Sequence, residues 1–199
     1  MQQPPPARVR LLDAAHQVML TNGLARATTK EIAKAAGCSE AALYKYFPSK
    51  EELFVTVLKE RLPRLKPLLE TLVAEPGERS VEENLIEIAR QAALFYAQSF
   101  PIAASLYAEP KLKQRHDDAM RELGTGPHVP IRGLDAYLRT EQDAGRIRAG
   151  ADTYAAASLL LGACAQRAFA YDMTPDGKPP QSLDEFAAGI ARTLLSGIG

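Results

Sequence analysis

The chain has 199 residues, 46% hydrophobic and 24% charged, which is ordinary for a globular protein and enough for one or two domains with sizeable cores. Its 24 basic and 24 acidic side chains cancel, so total charge gives no argument for a nucleic-acid partner. Two cysteines far apart, Cys38 and Cys164, exclude a disulfide framework or a cysteine zinc site. The distribution of charge says more than its sum. Residues 1–50 carry seven Lys/Arg against three Asp/Glu, and the remainder carries seventeen against twenty-one. A basic amino end on an acidic body fits a DNA-binding head joined to a part that need not touch DNA.

Residues 1–7 are rich in Pro and Gln and are expected to form a disordered arm. Arg8 and Arg10 come next, either as a basic arm along phosphate or minor groove or as a solvated terminus. From Val9 to Asn22 the set Leu11, Leu12, Ala15, Val18, Met19 and Leu20 predicts a first helix ended by Asn22-Gly23. Thr28-Thr29-Lys30-Glu31 reads as a capping box that opens a second helix. Gly37 stands where that helix must stop, and Ser39 caps the next one. Cys38, in the turn, is expected to be a small apolar plug against the first helix. Two short helices about a glycine turn fit a helix-turn-helix. A further box, Ser49-Lys50-Glu51-Glu52, comes after Pro48 and opens another helix.

On a 3.6-residue wheel, the helix from Glu40 to Phe47 turns Leu43 and Phe47 inward. Ala41 and Lys45 face away, flanked by Glu40 and Tyr44 on one side and by Ala42 and Tyr46 on the other. Small residues at 41 and 42 allow close backbone approach, and Lys45 with the tyrosines reaches phosphates or base edges. A solvated face with two snorkelling aromatics is the alternative reading of the same wheel.

These residues resemble the DNA-binding domain of the tetracycline-repressor (TetR) family of bacterial regulators. The resemblance covers residues 8 to 54 and rests on Asn22-Gly23, Thr28-Thr29, Ile32-Ala33, Ala36-Gly37, Ser39, Leu43-Tyr44, Tyr46-Phe47 and Ser49-Lys50-Glu51 with Leu53. It implies that Thr29, Tyr44 and Lys50 hold phosphates, and that Lys30, Glu40, Ala41, Ala42, Lys45 and Tyr46 face or flank the bases. Ser39, at the head of the reading helix, is counted with this DNA-binding set. Glu40 departs from the pattern: an anion at the leading edge either accepts from a cytosine amino group or repels phosphate.

Past Ser49 the chain reads as helix throughout. Pro63 and Pro67 predict a break at 62–67 before a piece ending near Ala74, and Glu75-Pro76-Gly77-Glu78 is a loop. The Ser80 box opens a helix to about Ser99; Pro101 restarts a short helix to Glu109, and Pro110 starts another to Leu123. Gly124 to Pro127 is a breaker, and helices are expected over 130–144, 152–173 and from the Ser182 box to about Ile198. Thr174 to Gln181 is an exposed loop. No apolar run reaches the roughly 18 residues of a membrane span, and MQQPPPARVR lacks a signal-peptide core, so the cytoplasm is the expected compartment.

The last two helices carry more apolar surface than a single pair needs: Tyr154, Leu159, Leu161, Gly162, Ala165, Phe169, Phe186, Ile190, Leu194 and Leu195. The same residues serve intramolecular packing or a four-helix dimer interface, and the resemblance implies the dimer. Candidate residues for a ligand pocket are Phe95, Tyr96, Ser99, Phe100, Tyr107, His116, Met120, Tyr137, Gln166 and Arg167, which also read as plain core. No catalytic or metal constellation and no cofactor motif is present: His16, His116 and His128 are scattered. The expectation is therefore an all-α chain, with a head at 8–54 and a helical ligand-binding and dimerisation domain at 55–199. Its function is then a homodimeric regulator binding a palindromic duplex operator, most simply a repressor released by an unidentified small molecule. An activator of the same fold, or a helical ligand carrier or enzyme without DNA binding, are the rivals.

Overall fold

The computed structural model describes residues 5–62, 65–170 and 178–198. Among them the chain is helical: α1 (Ala7–Arg26), α2 (Thr29–Ala35), α3 (Glu40–Tyr46), α4 (Lys50–Glu60), α5 (Leu65–Ala74), α6 (Val81–Ala104), a 3-10 turn (Ser105–Ala108), α7 (Pro110–Glu122), α8 (His128–Asp143), α9 (Thr153–Ala170) and α10 (Leu183–Ile198). Local chemistry sets the helix starts. Thr28, Ser80 and Ser182 make complete capping boxes, each hydroxyl and each partner glutamate satisfying a backbone N–H. At Ser49 the hydroxyl accepts from the Glu52 N–H.

The chain divides into two compact units, a head of residues 1–62 with 98–126 and a body of residues 63–97 with 127–199. The head is thus larger than the expected 8–54, because its core recruits residues far along the chain. Leu11, Leu12, Ala15 and Met19 of α1 meet Ile32 and Ala33 of α2, Leu43 of α3, and Leu53, Phe54 and Val57 of α4. Ile102 and Leu106 are buried in the same cluster, each worth about 2 kcal/mol of burial. Leu112 and Met120 of α7 pack against it.

Two helix boundaries differ from the sequence expectation, and a third carries an addition. Gly23 breaks α1 where Asn22-Gly23 was expected to end it, with non-helical φ 72° and ψ 161°, and one further helical turn runs on to Arg26. A side chain could not replace this glycine: an added Cβ would lie 2.7 Å from the Ser105 hydroxyl. That hydroxyl accepts from the Ala25 N–H at 2.9 Å, latching the 3-10 turn to the end of α1. Pro101 lies inside α6 rather than restarting the helix. Burial of Ile102 and Leu106 in the head core offsets the lost backbone bond. α8 begins at His128, so Pro130 falls in its first turn, where no intrahelical N–H bond is forfeited.

In the body, α8 packs against α5 and α9, and α10 packs against α9. Gly133 sits close to Leu69, where an added Cβ would come within 3.3 Å of the leucine. Two polar pairs reach into this core: Asn84 donates to the Tyr137 hydroxyl at 3.0 Å, and the Arg146 guanidinium donates to the fully buried Glu141. Cys164 donates to the Ala89 carbonyl, and burial pushes its thiol up to about 12. The expected break at 62–67, the end of the expected 152–173 helix and the first half of the 174–181 loop fall partly or wholly outside the described residues.

Candidate nucleic-acid interface

The geometry of the candidate surface depends on how α2 stops. Gly37 takes φ 64°, its N–H bonds the Lys34 carbonyl, and the Cys38 N–H bonds the Ala33 carbonyl, closing the helix as a left-handed cap. Ser39 then caps α3 by accepting from the Ala42 N–H at 3.1 Å. Cys38 is half-buried and packs against the head core, where its sulfur also accepts from Arg10 of α1. The inward pair of the wheel is fully committed, with Leu43 and Phe47 at 0% and 2% exposure. Glu40, Ala41, Tyr44, Lys45 and Tyr46 all stand in solvent, with Ala42 half-buried beside them.

Lys30 and Lys34 of α2 are both exposed. The Thr29 hydroxyl donates to Glu40 at 2.5 Å and stands 3.3 Å from the Tyr44 hydroxyl, so these three side chains form one surface cluster. The anion at the leading edge is therefore held by a neighbour on α2, which periodicity within α3 had no means of revealing. Lys50 is half-buried, and its ammonium donates to the Ala25 carbonyl at 3.4 Å. Burial holds its pKa below the usual lysine value, with Glu51 and Glu109 pulling the other way.

Arg8 and Arg10 are engaged within the head. Arg8 pairs with Glu60 and lies over the Phe47 ring, while Arg10 donates to the Ala36 and Pro5 carbonyls. Their sequence position beside a proline-rich terminus gave no sign of these partners.

The ten ligand-pocket candidates are divided between the units. Ser99, Phe100, Tyr107, His116 and Met120 belong to the head, and Phe95, Tyr96, Tyr137, Gln166 and Arg167 to the body. His116 is buried with its ring 5.0 Å from that of Phe54, and Tyr107 is 73% exposed with the Lys113 ammonium over its ring. In the body, Phe95 and Tyr96 meet edge to face at 5.5 Å, Tyr137 is buried, and Gln166 is exposed. Arg167 covers the Phe186 ring and donates to the Gln181 carbonyl.

The ten dimer candidates also separate. Leu161 and Leu194 belong to the body's own core. Phe186, Ile190 and Leu195 pack partly against it. Tyr154, Leu159 and Phe169 stand out at 51%, 66% and 70% exposure along α9, with Gly162 exposed and Ala165 half-buried between them. Among the described residues no group of His, Cys, Asp or Glu is arranged to hold a metal ion, and no helix is long and apolar enough to cross a membrane.

The chain is similar to several known bacterial regulators. The sequence profile described as "Bacterial regulatory proteins, tetR family" matches residues 11–57. A fatty acid metabolism regulator protein of Bacillus subtilis is 24% identical over 167 residues, 81% of each chain. Salmonella enterica GusR superposes with a TM-score of 0.67 at 26% identity, covering 98% of both chains. The Bacillus subtilis transcriptional regulator FadR, solved in complex with stearoyl-CoA, shares the fold at a TM-score of 0.66 and 21% identity, covering 96% of this chain and 100% of that one.

Proposed function

We propose that the chain, whose residues 11–57 match the tetR-family profile, is a DNA-binding regulator that represses transcription as a homodimer on a palindromic operator and is released by a small molecule. The observation that carries this reading is the division of α3. One face is sealed in the core by Leu43 and Phe47; the other offers Ala41 and Ala42 for close approach, with Lys45, Tyr44 and Tyr46 able to reach past them. A surface of that kind suits the floor of a major groove.

In this proposal the phosphate contacts come from Thr29, Tyr44 and Lys50, and sequence choice from Lys30 and the exposed face of Glu40 to Tyr46. Backbone phosphate takes the place of Glu40 as the acceptor of the Thr29 hydroxyl, which frees the carboxylate to accept from a cytosine amino group. The exposed strip Tyr154, Leu159, Phe169 of α9 joins two copies, with Phe186 and Ile190 of α10, partly buried against the body's core, alongside. Two-fold symmetry then requires half-sites about one helical turn apart or a multiple of it. The site of action is the cytoplasm, where the DNA is.

Release results if a ligand binds the two states of the protein unequally. The packing of α7 on α4 through His116 and Phe54 supports a route for it, because displacement of α7 moves the helix that begins at Lys50. The stearoyl-CoA complex of the Bacillus subtilis relative makes a long-chain acyl-CoA the first ligand to titrate.

Selection of bound sequences from random duplex DNA tests the reading. The expected result is a palindromic consensus whose base preference changes at one or two positions in Lys45→Ala, while Lys50→Ala weakens every site about alike. Enrichment of no sequence over the input pool ends the proposal. Repression is tested separately with a reporter driven by the selected operator, whose expression should rise when the chain is deleted.

A further inference from the structure

A groove of about 530 Å³ opens beside the end of α3. Its near wall comes from α3 and the start of α4, with Tyr44, Pro48, Ser49 and Lys50, together with Ala25 from the end of α1. Its far wall comes from a segment remote in sequence, with Leu112 and Arg115 of α7. Both walls lie within the head. The groove is therefore bordered by two residues of the DNA-facing set, Tyr44 and Lys50, and by a cation that no local pattern connects to them.

The charges in the groove are not equivalent. Lys50 is already supplied: it donates to the Ala25 carbonyl, and the carboxylates of Glu51 and Glu109, which line the same groove, both favour its charged form. Arg115 stands close enough to Lys50 for the two cations to repel, is itself exposed, and has no ion pair or hydrogen bond among the described residues. The other cations of α7 divide cleanly. Lys113 is paired with Asp117 and Arg121 with Asp118, whereas Lys111 is exposed and unpaired but lies outside the groove. An anion entering beside Tyr44 would thus be the first partner Arg115 acquires, and would relieve its repulsion with Lys50. Planar guanidinium is well matched to the paired oxygens of a phosphodiester.

We propose that Arg115 grips a backbone phosphate of bound DNA at this groove, alongside Tyr44 and Lys50, so that α7 is part of the DNA-binding surface. The proposal rests on the DNA-reading assignment of α3 and extends the contact surface to a helix outside the helix-turn-helix. It also gives α7 a direct hand in affinity: whatever displaces that helix withdraws a phosphate contact as well as shifting α4.

The test is the salt dependence of duplex binding, measured between about 50 and 200 mM salt on a duplex recovered by selection. A lost phosphate contact makes the slope of log affinity against log salt shallower by about 0.9, so Arg115→Ala should lose about 3.5-fold less affinity over that roughly fourfold range than the wild type. Relative preference among sequences should stay unchanged, and Arg115→Lys should keep the wild-type slope. Lys111→Ala, which removes another exposed charge of α7 outside the groove, should leave the slope alone. Because Arg115 is exposed, thermal unfolding of its variants should match the wild type. An Arg115→Ala slope equal to that of the wild type overturns the inference, as does an equal change in Lys111→Ala, which would mark diffuse charge rather than a contact. A wild-type protein that binds no duplex removes the DNA-reading assignment itself, and this inference with it.

Discussion

The outward faces of α3 and α9 are both left uncovered by this chain, yet they are made of different material. α3 presents a carboxylate, an ammonium and two phenols around small Ala41 and Ala42, all carried on a helix of seven residues. α9 presents hydrocarbon, with Tyr154, Leu159 and Phe169 more than half exposed along eighteen residues and little charge between them. The first face would gain little from meeting another copy of itself and much from meeting a polyanion with hydrogen-bonding edges. The second has nothing to offer DNA and leaves water only against another apolar surface. Two bare faces on one chain thus call for two kinds of partner.

The widest separation between them should come from destroying the α9 face alone. Leu159→Asp with Phe169→Asp places charge on the exposed strip without entering the body's core, so the fold should survive while the proposed dimer dissociates. Sedimentation should then show a monomer, and operator affinity should fall by about 100-fold or more, since the second head no longer binds intramolecularly. An unchanged dimer assigns the interface elsewhere.

The head can be broken as sharply from a position that touches no DNA. Gly23→Ala should destabilise it by about 2 kcal/mol or more, because a left-handed φ of 72° and the contact with the Ser105 hydroxyl both exclude a side chain. Urea titration combined with hydrogen exchange should locate the loss in α1 to α4 and α7, with α8 and α9 spared. A smaller effect is expected at Ser39→Ala, which removes the cap of α3 at a cost of about 1 kcal/mol. Operator affinity and unfolding midpoint should fall together there if α3 reads DNA as proposed, since it frays from its leading end.

A gentler perturbation distinguishes the two units by pH. His16 and His116 are both in the head, and burial lowers the pKa of each below 6.5, assisted at His16 by Arg61 and opposed at His116 by Asp117 and Glu51. Each has a buried ring nitrogen without a hydrogen-bond partner, Nε2 and Nδ1 respectively. Unfolded histidine then binds its proton at higher pH than folded histidine. This contribution to stability is complete above about pH 6.5 and is lost as pH falls from there through the folded pKa. The urea midpoint should therefore decline between about pH 7 and 5, with exchange in the head rising first, and His116→Leu should flatten part of that decline.

Much of this was legible in the residues themselves. The cap at Ser39, the left-handed stop at Gly37, the boxes at Thr28, Ser80 and Ser182, and the inward turn of Leu43 and Phe47 all depend on partners close by in the chain. Such bonds form wherever the local pattern occurs, so reading the pattern amounts to reading the bond. The candidate pocket was a different matter: its aromatics share a composition but not a neighbourhood, and the fold sends His116 and Met120 to the head and Phe95 and Tyr137 to the body. Arg115 was invisible for the same reason, since nothing in α7 records that Tyr44 lies across a groove from it.

The helical character of the described residues, the start of most helices and the outward face of α3 could all be read from short stretches of chain. It took the packed fold to bring Ser105 onto Ala25, Thr29 onto Glu40, and Arg8 and Arg10 onto partners within the head, and to turn Leu161 in while Leu159 faces out. Helix caps and amphipathic wheels are satisfied within one or two turns of backbone. Contacts such as that of Ala25 with Ser105, 80 positions apart, are selected by the packing of the whole core, and no short stretch of chain carries them.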